Sequence, residues 1–140
     1  MSIRVDKEKL SSIKGIPVKI VAKAGETIEE FFRRTLRERK MHRIYIVVDD
    51  KGRTLGYINF EGLLLLPRMY FGAKTKDYML KAETLGLNDT VKDAVEVFLK
   101  TPTTCLVVVD NMLKPVKMIS PISISNYVFM KIVKKLYGER

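Results

Sequence analysis

The chain has 140 residues, of which 46% are hydrophobic, so it can build one compact domain or a close pair of small ones. Its formal net charge is +10, and a single cysteine excludes an intrachain disulfide. Apolar runs such as Ile44–Val48 are far shorter than the roughly 18 residues of a membrane span. Because the N-terminus also lacks the apolar stretch of a signal peptide, we expect a cytoplasmic protein.

The first half of the chain predicts the order strand, helix, strand, strand, helix. Thr27 and Glu30 have the spacing of a capping box, which marks the start of the first helix. Asp49 opens a turn between two β-rich runs, which is typical of a hairpin. The predicted elements are a strand at Val18–Val21, a helix capped by Thr27, a strand from Ile44 to Asp49, a return strand at Thr54–Ile58 and a helix at Glu61–Leu66.

The second half predicts the same order again. Asp49 and Asp110 are 61 residues apart, as are Asn59 and Ser120. A period of this length indicates two small domains, and each half is too short to bury a comfortable core alone. The predicted elements are a strand within Ala82–Leu87, a helix capped by Thr90, a strand from Cys105 to Asp110, a return strand at Val116–Ile119 and a helix at Ile122–Tyr137.

Apolar residues at helical spacing predict which helix faces are buried. In the first helix of each half they are Ile28, Phe31, Phe32 and Leu36, and then Val91, Ala94, Val95 and Leu99. The last helix has two apolar stripes: Ile124, Tyr127, Val128 and Ile132 form one, and Phe129, Val133, Leu136 and Tyr137 form the other. We expect one stripe to face the core and the other to form a homodimer contact, although both could pack within one chain.

The order and spacing of these elements resemble a pair of CBS motifs, named after cystathionine β-synthase. The segments that carry the resemblance are Lys76-Asp-Tyr-Met79, Asn88-Asp-Thr-Val91, Val109-Asp110 and Gly56-Tyr-Ile-Asn59. The resemblance implies an α+β fold, in which two pseudo-twofold-related β-α-β-β-α motifs pack as one module. Motif 1 would span 13–68, a linker 69–76 and motif 2 77–137.

The resemblance also implies a ligand site. In this family a cleft between the motifs often holds an adenosine-containing ligand, with a hydroxyl residue near its phosphate and an aspartate at its ribose. The matching positions here are Asn59 and Gly62 in the first copy, with Glu61 one residue early, and Ser120 and Ser123 in the second. Neither copy has the aspartate in register. Candidate ligands are AMP, ADP, ATP and S-adenosylmethionine, and no cofactor is required.

The turn before the first central strand adds two candidate ligand residues, His42 and Arg43. An arginine can pair with a phosphate through two hydrogen bonds, and a neighbouring histidine can assist it. The alternative is that Arg39, Lys40 and Arg43 only complement a helix C-terminus. A single histidine and a single cysteine give no cluster for a metal site.

Two functions remain open. The first is a regulatory module, not an enzyme, that binds an adenine nucleotide between its motifs and signals to an effector protein. The second is a degenerate pair without nucleotide binding that acts as a dimerisation or polyanion-binding scaffold. The high positive charge suits nucleic acid, but we do not favour that partner because no stacking motif accompanies it. The charge and the absence of glutamine are also typical of a thermophile-type surface. We expect no membrane contact and no catalytic residues.

Overall fold

The computed structural model of the chain describes residues 5–38, 42–103 and 106–138. Arg39, Lys40 and Cys105, which figure in the predictions above, lie outside the described residues. Within the described part the strands are β1 (Ile16–Pro17), β2 (Val21–Lys23), β3 (Ile44–Val48), β4 (Thr54–Asn59), β5 (Leu80–Lys81), β6 (Glu83–Gly86), β7 (Leu106–Val109) and β8 (Pro115–Ile119). The α-helices are α1 (Ile28–Thr35), α2 (Phe60–Leu64), α3 (Val91–Lys100) and α4 (Pro121–Tyr137).

The chain divides into two compact units, each built on one four-stranded sheet. Unit I comprises 18–82 and 112–115, and its sheet has the strand order β2-β3-β4-β5. Unit II comprises, among the described residues, 5–17, 83–103, 106–111 and 116–138, and its sheet has the order β1-β8-β7-β6. Strand β2 runs parallel to β3, and β6 runs parallel to β7, as expected when a helix connects the two strands. The fold is therefore α+β with a repeated β-α-β-β-α order. The motif boundaries at 13–68 and 77–137 stay a prediction.

Each unit is built mainly from one copy of the repeat and is completed by a segment that stands in the chain before the strands and helices of the other copy. We call residues 5–17 the N-terminal lead-in segment and residues 71–82 the central lead-in segment. In unit II, the amides of Val91 and Lys92 at the start of α3 donate to the carbonyl oxygens of Glu8 and Asp6. In unit I, the first two amides of α1 donate in the same way to carbonyl oxygens at positions 73 and 71. These acceptors satisfy helix N–H groups that have no partner within the helix.

The two cores differ in chemistry. Unit I buries an aromatic cluster in which the rings of Phe31 and Tyr45 meet edge to face with centroids 5.0 Å apart. Such pairs are favoured by the aromatic quadrupole beyond their buried area. Unit II buries an aliphatic cluster that includes Leu10 and Ile13 from the N-terminal lead-in segment, which are 0% and 1% exposed. That segment is therefore part of the core of unit II.

The helix starts show how far local sequence decides the structure. The capping boxes of Thr27 with Glu30 and of Thr90 with Asp93 are both present, as predicted. Helix α2 begins at Phe60, one residue before the predicted start, because the Asn59 side chain accepts hydrogen bonds from the next backbone amides. Helix α4 likewise begins one residue early, with a proline in its first turn, where a missing N–H costs nothing. Strand β2 was predicted three residues too early, because only Val21–Lys23 pairs with β3.

Some residues predicted to be buried are exposed. Leu36 is 71% exposed and Leu99 is 81% exposed, and Val95 also faces solvent. On α4, Ile124 is buried in the core of unit II, whereas the second stripe is open, with Tyr137 77% exposed. The possibility that both stripes of α4 pack within one chain is therefore wrong. In the described part of the chain, no helix combines the length and the apolar character needed to cross a membrane.

Candidate functional site

The candidate site is a cavity of about 430 Å³ within unit II, which we call the unit II cavity. One wall is the end of the N-terminal lead-in segment, and the other is the first half of α4. The lining residues are Lys14, Gly15, Ile16, Ile122, Ser123, Asn126, Tyr127 and Met130. Ligand pockets usually measure about 300–1,000 Å³ and combine an apolar lining with a few polar groups, and this cavity fits that description.

The lead-in wall is held close to β8. Strand β1 pairs antiparallel to β8, with Ile16 opposite Met118. A Cβ atom on Gly15 would lie 2.3 Å from the carbonyl oxygen of Met118, so only glycine fits there. The Lys117 amine donates to the carbonyl oxygens of Ser11 and Ile13, and burial lowers the pKa of this amine. The wall is therefore fixed by both backbone and side-chain contacts.

The N-terminus of α4 has two hydroxyl groups, those of Ser120 and Ser123, and Ser123 lines the cavity. Ser120 is the N-cap, and its backbone N–H donates to the Ser123 hydroxyl at 3.2 Å. The two hydroxyl oxygens are 3.3 Å apart. The first turn of α4 contains no acidic residue, whereas α1, α2 and α3 each have at least one there. The positive end of the α4 dipole is thus not neutralised by the helix itself, which favours an anion.

Tyr127 connects the cavity to the start of the chain. Its hydroxyl donates to one carboxylate oxygen of Glu8, and the amine of Lys131 lies 3.1 Å from the other oxygen. The same amine lies 5.5 Å from the centroid of the Tyr127 ring. Because its hydroxyl is engaged by Glu8, Tyr127 contributes mainly its ring to the cavity. None of Glu8, Lys14, Ile16 and Tyr127 was predicted as a site residue.

The candidate residues of the first copy lie in unit I. The structure brings Arg43, Asn59 and Glu61 together, because the Phe60 amide donates to the Arg43 carbonyl oxygen. Arg43 Nε lies 3.3 Å from Glu61 Oε1, and both side chains are strongly exposed. Asn59 is the α2 cap, as described above. Each of these three side chains therefore already has a partner within unit I.

His42 lies beside this group rather than in a cavity. Its backbone N–H donates to the Tyr45 hydroxyl at 3.1 Å, and the two rings meet edge to face with centroids 5.6 Å apart. His42 itself is exposed. The contacts described for His42 are thus made with Tyr45, a buried residue whose hydroxyl accepts the hydrogen bond.

A larger cavity of about 640 Å³ in unit I is lined by several carboxylates. Three of these carboxylates have structural partners: Glu26 pairs with Arg34, Glu30 caps α1, and Asp49 pairs with Arg53. Among the described residues, no group of three or more His, Cys, Asp or Glu side chains is arranged to hold a metal ion. We therefore place the candidate site at the unit II cavity.

Comparison with known protein families gives a match in the first half of the chain. Residues 13–66 match the model of the CBS domain family. No curated protein matches the sequence.

Solved structures match nearly the whole chain. A hemolysin-like protein containing a CBS domain from Oenococcus oeni PSU is 19% identical, with a TM-score of 0.68, and the match covers 89% of this chain and 93% of that one. CBSX2, solved in complex with AMP, is 17% identical, with a TM-score of 0.66 and coverage of 87% and 96%. A putative acetoin utilization protein from Vibrio cholerae is 15% identical, with a TM-score of 0.66 and coverage of 94% and 98%. At these identities the solved structures show the fold alone. Together with the family match, they show that residues 13–66 form a CBS domain and that the chain has the fold of solved CBS-domain proteins.

Proposed function

We propose that this protein is a regulatory CBS module that binds an adenine nucleotide in the unit II cavity and signals to an effector protein. The observation that carries the proposal is the cavity itself. It combines a size suited to a nucleotide, a mostly apolar lining and the N-terminus of a helix whose first turn is free of carboxylates.

The lining suggests how each part of a nucleotide would be held. Ile16 and Ile122 come from opposite walls, so a flat base can lie between two apolar side chains. Ser120 and Ser123 offer hydroxyl groups to a phosphate at the start of α4, where the helix dipole attracts negative charge. Lys14 adds the cationic side chain of the lining. We expect recognition to rest on base and phosphate, because Ser123 stands where the family has its ribose-binding aspartate.

The choice of ligand is supported by one structural neighbour. CBSX2 was solved in complex with AMP, which makes adenine nucleotides the first ligands to test here. We propose AMP, ADP, ATP and S-adenosylmethionine as the panel. His42, Arg43, Asn59 and Glu61 remain a proposed second, weaker subsite in unit I, since a nucleotide there must compete with the Arg43–Glu61 pair.

The test is isothermal titration of ligand-free protein against this panel, with two matched variants. In Ser123→Tyr a larger side chain enters the cavity, whereas in Ser125→Tyr the same change falls on an exposed residue of α4 outside the lining. We expect micromolar binding, about −8 kcal/mol, in the wild type and in Ser125→Tyr, and only the weaker binding of the unit I subsite in Ser123→Tyr. Unchanged affinity in Ser123→Tyr would refute the assignment of the cavity.

The degenerate scaffold is the second candidate. One observation favours it: in unit I, Arg43, Asn59 and Glu61 are already engaged with one another or with the backbone of α2. An absence of heat for every nucleotide, with the protein folded, would favour this candidate. The high positive charge then directs the next titrations to polyanions such as RNA.

We also propose that the protein forms a homodimer through the second stripe of α4. Phe129, Leu136 and Tyr137 are each at least 59% exposed, and an aligned apolar stripe of this kind usually marks a contact surface. Light scattering should give twice the chain mass for the wild type and for Lys135→Glu, which changes an exposed residue on another face of α4. Phe129→Glu should give the single-chain mass. A monomeric wild type at micromolar concentration would remove the dimer.

A further inference from the structure

We propose that a ligand in the unit II cavity controls the docking of the N-terminal lead-in segment onto unit II. The inference rests on the proposed function, because it assigns a regulatory output to the same cavity. It starts from the composition of the cavity walls. Lys14, Gly15 and Ile16 belong to the lead-in segment, whereas the facing residues belong to α4.

This division of the walls links binding to docking. When the lead-in segment leaves unit II, one wall of the cavity leaves with it. A ligand that contacts both walls therefore binds only the docked state, and it must stabilise that state by mass action. At a concentration of 100 times its Kd, such a ligand lowers the undocked population about 100-fold.

A second connection runs through the side chain of Tyr127. Tyr127 lines the cavity, and its hydroxyl donates to Glu8, in the first turn of the described lead-in segment. Lys131, one turn further along α4, holds the other oxygen of Glu8. The segment is thus held near its start through Glu8, which the cavity residue Tyr127 contacts, and at its end by the pairing of Ile16 with β8.

Undocking would change the surface of unit II in a way that a partner protein can recognise. The segment covers the core with Leu10 and Ile13, both completely or almost completely buried. It also supplies carbonyl acceptors to the first amides of α3 and pairs with β8. Release would therefore expose apolar side chains, leave the first two amides of α3 without their acceptors and free one edge of the sheet, where another strand could pair.

Hydrogen exchange reports docking directly. In the docked state the Leu10 amide donates to the Asp89 carbonyl oxygen at 2.8 Å, and the Ser11 amide donates to Leu87 at 3.0 Å. Exchange at these two amides should be measured with and without the nucleotide that gives the largest heat, at 100 times its Kd. The variants are Tyr127→Phe, which removes the contact with Glu8, and Tyr70→Phe, which makes the same change on an exposed residue of unit I.

In ligand-free protein we expect exchange at Leu10 and Ser11 to be about tenfold faster in Tyr127→Phe, since a hydrogen bond to a charged group is lost. Tyr70→Phe should behave as the wild type. Nucleotide should slow exchange about 100-fold in the wild type.

The two proposals fail in different ways. If a nucleotide binds by calorimetry and exchange at Leu10 and Ser11 does not slow, ligand control of docking is wrong while the proposed function stands. If no nucleotide gives heat, the proposed function fails and ligand control fails with it. Exchange in Tyr127→Phe at the wild-type rate would show that α4 does not hold the segment, whatever the ligand does.

Discussion

Gly15→Ala tests the contact between the N-terminal lead-in segment and β8. The added Cβ would lie 2.3 Å from the carbonyl oxygen of Met118, about 1 Å inside ordinary contact. A backbone oxygen in a paired strand cannot turn aside as a flexible side chain can. Strand β1 must therefore move away from β8, or the two strands must separate.

The size of the penalty follows from these two responses. Forcing extra atoms into a packed site costs about 1–3 kcal/mol. If Ile16 and Pro17 also separate from their partners on β8, each lost hydrogen bond adds about 1 kcal/mol. We expect the free energy of unfolding to fall by about 2–4 kcal/mol. At about 3 °C for each kcal/mol, a chain of this size should lose roughly 6–12 °C in Tm.

Thermal unfolding and urea titration measure this loss, and two other glycines provide comparisons. A Cβ added at Gly25 would meet nothing within 4 Å, so Gly25→Ala should change stability by less than about 1 kcal/mol. A Cβ added at Gly56 would lie 2.4 Å from the Leu80 carbonyl oxygen, so Gly56→Ala should lower stability as Gly15→Ala does. If Gly15→Ala and Gly25→Ala unfold at the same midpoint, the lead-in strand does not lie against β8 and the cavity wall is misplaced.

Two further predictions concern the core and the helix caps. Leu10→Ala should lower the free energy of unfolding, measured by urea titration, by about 2–5 kcal/mol because Leu10 is completely buried. Leu99→Ala, on an exposed face, should change the free energy of unfolding by no more than about 0.5 kcal/mol. Equal effects would place Leu10 outside the core. The pKa of Asp93 lies below its usual value of 3.8, because the Thr90 backbone N–H and then its hydroxyl donate to the carboxylate. A carboxyl group whose pKa is lower in the folded state stabilises the fold at pH values above its unfolded pKa, and this stabilisation is lost as the pH falls through the folded pKa. The urea midpoints of the wild type and Asp93→Asn should therefore differ above pH 3.8 and converge below it. A difference that persists in acid would contradict this account.

The features that the sequence predicted correctly are mostly local. A capping box needs two residues three apart, and Thr27 with Glu30 and Thr90 with Asp93 both form one. Hairpin turns and helix periodicity also act over a few residues. The spacing of apolar residues nevertheless predicted too many buried residues on each helix, because it contains no information on how much of the helix the sheet covers. Leu36 and Leu99 lie on the expected stripes but beyond that cover.

Local sequence patterns could not predict that each lead-in segment packs on the unit built mainly from the other copy. The groups that accept hydrogen bonds from the α3 amides are the backbone carbonyls of Asp6 and Glu8. Every residue has a backbone carbonyl, so the residue types at these positions do not reveal the contact. The spacing of Leu10 and Ile13, followed by Gly15, was the available signal, but an apolar pair and a glycine are common in any chain. The site prediction was limited for the same reason. Ser120 and Ser123 were found through the family resemblance, whereas the wall opposite them comes from the lead-in segment.

This packing of each lead-in segment on the other copy's unit explains why the repeat does not produce two independent domains. Unit II needs Leu10 and Ile13, which precede β2 and α1 of the first copy in the chain. Unit I needs Thr75, a completely buried residue that precedes β6 and α3 of the second. A cut within 69–76 would therefore separate unit I from part of its own structure, and loss of the first 17 residues would open the core of unit II. Because neither copy contains the whole of its unit, a change that releases one lead-in segment alters the stability of a unit built mainly from the other copy. A segment that precedes one copy along the chain thus stabilises the unit built mainly from the other copy.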